Sequence, residues 1–248
     1  VEAYLQLPDD AFAETIDVSP LIDEERRLGE RGIVMVDTED PLCAAATLFS
    51  MGDFTIVAMT QGNLFHRLLK KCARVIHHRT EVVARQFPGR LWRIYGPEFA
   101  TEPYLPPHLF DEYVVRYTGP MVEAIRRTGG FARIHIHGRI RNVLDSVVRM
   151  GADAIDPIEP PPQGDVDLAF VRAKCGHALV LFGNLEIADV ENAEPDQFEK
   201  IVRKTLADGT QGDGRGFVLM PSACPYGRTV STRTLRNYET MIRCVEEL

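Results

Sequence analysis

The chain has 248 residues, 45% hydrophobic and 26% charged, with Lys+Arg 28 against Asp+Glu 36 and a formal net charge of −8. This is ordinary globular composition, and an acidic balance whose richest basic stretch is residues 139–141 (RIR) offers no electrostatic footprint for nucleic acid. No apolar run approaches the ~20 residues that cross a bilayer, and no charged-then-apolar leader opens the chain, so a cytoplasmic protein with small-molecule or protein partners and no membrane association is expected. The five cysteines, Cys43, Cys72, Cys175, Cys224 and Cys244, are scattered without a C-x-x-C pair, which points to reduced thiols. The first residue, Val1, leaves room for an N-terminal portion missing from this chain.

In chain order, residues 32–36 (GIVMV) read as a strand, residues 54–59 fit strand or helix equally, residues 63–86 are helical, and residues 91–95 (LWRIY) form a second strand. Residues 107–128 are again helical. The second half alternates more cleanly. Strands are expected at 132–137 (ARIHIH), 154–159 (AIDPIE), 178–184 (ALVLFGN) and 216–223 (GFVLMPSA), each short and bounded by Gly or Pro. Between them, residues 140–150 carry Ile140, Val143, Leu144, Val147 and Val148 on one helical face. Residues 195–207 repeat the pattern with Phe198, Ile201, Val202 and Leu206, opened by Pro195 and closed by Gly209. Ser231 precedes a terminal helix that reaches Leu248.

Strands alternating with amphipathic helices pair in parallel through right-handed crossovers, which makes this an α/β protein read as one domain over 1–248. Six or seven strands are countable where a closed (βα)8 barrel needs eight, so a barrel here lacks its first unit or so. The glycine-rich residues 208–216 (DGTQGDGRG) precede a strand, whereas a phosphate cradle follows one and opens a helix; they read as a connecting loop.

Chemistry concentrates in Arg133-Ile-His135-Ile-His137-Gly138. Strict alternation sends Arg133, His135 and His137 to one face of the strand, ~6.6 to 7 Å apart along it, a spacing from which two imidazoles can share one ion. The plainer reading is a half-exposed strand whose isoleucines face the core and whose histidines face water. Cys224 lies just beyond a later strand, and in a parallel barrel all strand C-terminal ends open on one face. Two imidazoles, one thiolate and an open fourth position describe a catalytic zinc. Cys72 and Cys244 fall on helices and are simplest as packing thiols; Cys43 and Cys175 have no evident partner. His66, His77, His78, His108 and His177 have no ligating spacing, with His77-His78 on a polar helix face.

His135-x-His137-Gly138, then Gly151-Ala-Asp153, the Glu159-Pro-Pro-Pro-x-Gly-Asp165 turn, Leu181-Phe-Gly-Asn184, a Pro-opened helix and Cys224 with Asn237 beyond resemble the uroporphyrinogen decarboxylase superfamily. The order is most similar to its cobalamin-dependent methyltransferase branch, from about residue 32 onward and most densely from Glu98. The resemblance implies a (βα)8 barrel, zinc held by His135 and Cys224, and methyl transfer beside a corrinoid protein. Those methyltransferases have H-x-C where this chain has His137, so the metal role reaches His137 by chemical equivalence only. The N-terminal arginine-rich segment and early aspartate of the true decarboxylases are not recognisable here.

Replacing a thiolate by imidazole has a consequence: a His2Cys set leaves zinc a formal charge of +1, where HisCys2 leaves it neutral. That favours polarising an oxygen or nitrogen of a methyl donor, such as a small methoxy or methylamine-type compound, over activating a thiol acceptor. Glu98, Glu159 and Asn184 fall at strand ends on the same rim, Glu159 and Glu98 as candidate catalytic carboxylates and Asn184, Tyr226 and Arg133 as candidate substrate contacts; capping and packing are the plainer roles. The expectation is a zinc-dependent methyltransferase with a small methyl donor and a separate corrinoid protein as partners, with a homodimer left open. The alternatives are a tetrapyrrole decarboxylase using Arg93, Arg133, Arg139 and Arg141 without metal, and a non-catalytic binding barrel.

Overall fold

A computed structural model describes the chain from Val1 to Leu248 except Arg228, and every side chain but those of Asp9, Asp10 and Arg228. It divides into two compact units, Val1–His135 with Asp145–Asp153, and Ile136–Leu144 with Ala154–Leu248.

The first unit runs α1 (Glu2–Gln6), α2 (Ser19–Leu28), β1 (Met35–Glu39), α3 (Pro41–Ala46), α4 (Met51–Thr60), α5 (Gly62–Gln86), β2 (Leu91–Tyr95), α6 (His108–Phe110), α7 (Arg116–Arg127) and β3 (Phe131–Ile136), and takes in most of α8 (Leu144–Arg149). The second holds β4 (Ala154–Pro157), α9 (Leu168–Cys175), β5 (Val180–Leu185), α10 (Ile187–Asn192), α11 (Pro195–Gly209), β6 (Phe217–Pro221) and α12 (Thr232–Glu246). Among the described residues six strands alternate with helices. The pairings β1–β2, β2–β3, β4–β5 and β5–β6 are all parallel. This is an α/β protein with the repeating order of a partial (βα)8 barrel.

Local chemistry explains where the elements fall. Residues 54–59 are helical, within α4, because Ser50 caps that helix: its Oγ accepts from the Asp53 N–H at 3.2 Å and donates to Asp53 Oδ2 at 2.8 Å. α5 buries Phe65, Leu68, Leu69, Cys72, Ala73, Ile76 and Val83 at helical spacing. His77 on that helix is half-buried rather than solvated, its Nε2 donating to the Tyr117 carbonyl at 2.7 Å and tying α5 to α7. Ser231 caps α12 through the Thr234 N–H at 3.1 Å. In the second unit Leu185, Ile187, Val190, Phe198, Val202, Leu206 and Cys244 form one core, each apolar side chain of this size contributing ~1.5–3 kcal/mol on burial.

The first strand is displaced from its expected place: residues 32–36 were the apolar run, yet β1 occupies Met35–Glu39. Its polar half is stabilised by register, Asp37 opposite Arg93 and Glu39 opposite Tyr95. α3 was not expected, although Asp40 followed by Pro41 is an N-cap with Pro at the first helical position.

Candidate functional site

In the first unit, register and alternation build two polar rows on one face of the sheet. Asp37, Arg93 and Arg133 lie side by side across β1, β2 and β3, and Glu39, Tyr95 and His135 form the next row toward the strand C-termini. The other face carries Val36, Trp92, Ile94, Ala132 and Ile134, all buried. Arg93 Nη1 donates to both oxygens of Asp37 at 3.0 Å. Arg133 and His135 are each only 7% exposed, so His135 does not face open water. Parallel strands are covered on both faces, which is why the half-exposed picture of this strand does not hold. Burial, with the charge of Glu39 next, raises the Tyr95 phenol above its ordinary value.

Two further carboxylates follow these strands. Glu98, just after β2, accepts the Gly96 N–H at 3.0 Å. Asp40, directly after β1, is 0% exposed, accepts the Cys43 N–H at 2.7 Å and the Thr118 hydroxyl at 2.9 Å, and is pushed up to about 7 by burial. Gly96 stands at φ +115, and a Cβ there would lie 2.4 Å from Cys43 Cβ and 2.5 Å from Asp40 Oδ1, so only glycine fits beside this aspartate. Sequence reasoning passed over Asp40; the available signal was its place one residue past a strand and one before proline.

In the second unit the motif segments close on one another. His137 Nδ1 donates to Glu159 Oε1 at 2.8 Å, and the Gly138 N–H donates to Glu159 Oε2 at 2.7 Å. The His137 side chain is 37% exposed and that of Glu159 11%. Gly138 adopts φ +83, a left-handed turn that suits glycine and delivers its N–H to the carboxylate. At the far end of the same turn, Asp165 Oδ1 accepts the N–H groups of Ile140 and Arg141 at 2.9 and 3.1 Å. The Glu159–Asp165 turn is thus a clamp whose two carboxylates hold the loop after β3. A Cβ on Gly164 would lie 1.9 Å from the Glu159 carbonyl oxygen, so the glycine of this turn is sterically required. Ile158, just before Glu159, is fully buried at φ +58, a conformation rare for a β-branched residue and strained in the manner of functional sites.

Asn184, near the end of β5, is 8% exposed. Cys224 is an exposed free thiol in the segment after β6. Tyr226 is 81% exposed, with its N–H on Glu191 Oε1 at 3.2 Å. Asn237 is wholly buried and donates to the carbonyls of Val190 and Ala193 at 3.0 and 2.9 Å, holding the turn between α10 and α11. Among the described residues no three His, Cys, Asp or Glu side chains converge closely enough to grip a metal ion in this conformation. No described helix is long and apolar enough to cross a membrane.

Comparison with known proteins fits the motif assignment. None of the curated protein sequences matches the chain. Among solved structures, a D-psicose 3-epimerase crystallised in the presence of D-fructose superposes with a TM-score of 0.46 at 9% identity, covering 94% of this chain and 93% of that one, a likeness too loose to bear on fold or chemistry. The model of the family described as uroporphyrinogen decarboxylase (URO-D) matches residues 8–248, and with nearly the whole chain inside that match the protein belongs to the uroporphyrinogen decarboxylase family.

Proposed function

We propose that this family member is a zinc-dependent methyltransferase that demethylates a small methyl donor and passes the methyl group to a corrinoid carried by a separate protein. The observation that carries the reading is the His137–Glu159 pair at 2.8 Å. A carboxylate that accepts a hydrogen bond from Nδ1 of a half-exposed imidazole fixes its tautomer, an arrangement that supports histidine ligands of zinc. In this reading the ligands would be His135, His137 and Cys224, a donor set whose chemistry suits a three-ligand site but which does not converge in the structure and would have to be brought together on binding. When bound, zinc supplies Lewis acidity toward the leaving oxygen or nitrogen of the donor.

The protein's own groups do the rest. Glu159 orients His137 and, through Gly138, holds the loop in place. Glu98 stands as the carboxylate for proton delivery to the leaving group, and Asn184, Tyr226 and Arg133 as substrate contacts. Arg93 is engaged by Asp37 on two oxygens, which weighs against the decarboxylase alternative because that arginine is not at liberty to grip a substrate carboxylate. Incubation of the protein with methylated donors and free cob(I)alamin, followed by absorbance, tests the reading. Methylcobalamin formation that disappears in His137→Ala and Cys224→Ala is expected; no formation with any methoxy or methylamine donor overturns it.

A further inference from the structure

On a chain whose net charge is −8, α5 carries a basic face. Its exposed positions recur every third or fourth residue at Arg67, Lys70, Arg74, His78, Glu81 and Arg85, so one side of the helix gathers three guanidinium groups and an ammonium against a single carboxylate. No run of adjacent residues announces this face, because the cations meet only once the chain is helical.

Within the same unit, residues 1–17 lie along α5. They carry Glu2, Asp9, Asp10, Glu14 and Asp17 and no Lys, Arg or His. Arg67 Nη1 and Nη2 donate to the two Glu2 oxygens at 3.3 and 3.4 Å, and Arg79 Nε and Nη2 donate to those of Glu14 at 2.7 and 3.2 Å. Between these ties Lys71 Nζ donates to the Leu5 carbonyl at 3.3 Å and to that of Leu7, and stands 5.4 Å from the centre of the Phe12 ring. Tyr4 packs on Phe12 with ring centres 5.3 Å apart, and its hydroxyl meets Cys72 Sγ at 4.0 Å. The segment is thus a strap of acidic and aromatic groups laid on a basic helix. Its hold is shallow. None of its described side chains is fully buried, and the Arg67–Glu2 pair stays 58% and 61% exposed, a setting in which ion pairs contribute little. A cavity of ≈ 270 Å³ remains between strap and helix, with Phe12 and Glu14 on one side and Lys71, Arg74, Val75 and His78 on the other. The strap therefore matches the face in charge and fills it incompletely in shape.

We propose that this face of α5 is a docking surface for an acidic, aromatic-bearing segment of a partner protein, and that residues 1–17 are its in-chain occupant, which such a segment displaces. A fitting partner offers carboxylates to Arg67, Arg74 and Arg79 and an aromatic side chain to the space beside Phe12 and Val75. Fluorescence anisotropy of a labelled peptide with the sequence of residues 1–17 measures binding to the full chain, both as it stands and with Tyr4→Ala and Phe12→Ala together, which loosen the strap without altering α5. Binding about tenfold or more tighter to the loosened chain is expected, because an in-chain occupant competes at high effective concentration. Adding Arg67→Glu and Arg74→Glu to the loosened chain should weaken binding about tenfold or more, and raised salt should weaken it severalfold. Peptide added to the parent should also speed hydrogen exchange in residues 1–17, the sign of displacement. Circular dichroism checks that each variant folds, and Lys70→Glu serves as the milder substitution if the charge-reversed chain does not. No binding to the loosened chain, equal binding by a peptide whose five acids are changed to amides, undiminished binding to the charge-reversed chain, or unaltered exchange in the parent would overturn the proposal. Equally tight binding of inorganic polyphosphate would replace the acidic segment with a surface for any polyanion.

Discussion

Asp40 in the first unit and Glu159 in the second each follow a strand, and each accepts a backbone N–H, yet they end in opposite circumstances. Asp40 is sealed from solvent with its partners being the Cys43 N–H and the Thr118 hydroxyl, groups that build the fold. Glu159 remains 11% exposed and holds the ring of His137, itself 37% exposed. A strand-end carboxylate in this fold is thus assigned by what its partner can still do. A capped helix terminus has no further chemistry, whereas an oriented imidazole does.

The largest expected effect separates the two by stability. Asp40→Ala removes an N-cap, worth ~1 kcal/mol, and leaves the buried Thr118 hydroxyl without its acceptor, so urea unfolding should register a loss of ~2–4 kcal/mol. Asp40 also shapes the pH profile. Its folded value, raised to about 7, lies above the ~3.9 of an unfolded aspartate. The folded chain therefore holds more protons between those values, and the aspartate's contribution to stability is complete below the lower one and lost as pH rises through the upper. Asp40→Asn, which retains acceptor and donor without the charge, should flatten the difference in unfolding free energy between pH 4 and pH 8; an unchanged slope would show that Asp40 is not the titrating group.

Glu159→Gln is the counterpart. It should leave the unfolding midpoint nearly unchanged while lowering zinc affinity ~10–100-fold, because an amide cannot fix the imidazole tautomer as a carboxylate does. Competition with a chelator of known affinity reads this directly, and a large stability loss with unchanged affinity would reverse the assignment of the two carboxylates. The smallest effect belongs to Gly138→Ala. A side chain at φ +83 costs ~1–2 kcal/mol, visible as a modest drop in melting temperature.

Much of the architecture was legible because it rests on local signals. β2 falls on the expected residues 91–95, and the Pro195 and Ser231 helix starts are where capping rules place them. β1 was displaced because half of it is polar. Asp37 and Glu39 are tolerable in a strand only opposite Arg93 and Tyr95, and a pairing more than fifty residues away leaves no trace in a local window. The burial of His135 was hidden for a related reason, since alternation separates two faces without saying that both are covered. The Glu159–His137 contact was anticipated only as shared placement on a rim; the bond itself depends on the left-handed Gly138 and the strained Ile158, which set the two loops against each other.

Metal analysis of natively purified protein tests the central claim most directly. Inductively coupled plasma mass spectrometry should find zinc in stoichiometric amount in the parent and lost in His135→Ala, His137→Ala and Cys224→Ala. A parent that carries no zinc and takes up none on titration, or single variants that retain it fully, would contradict the account.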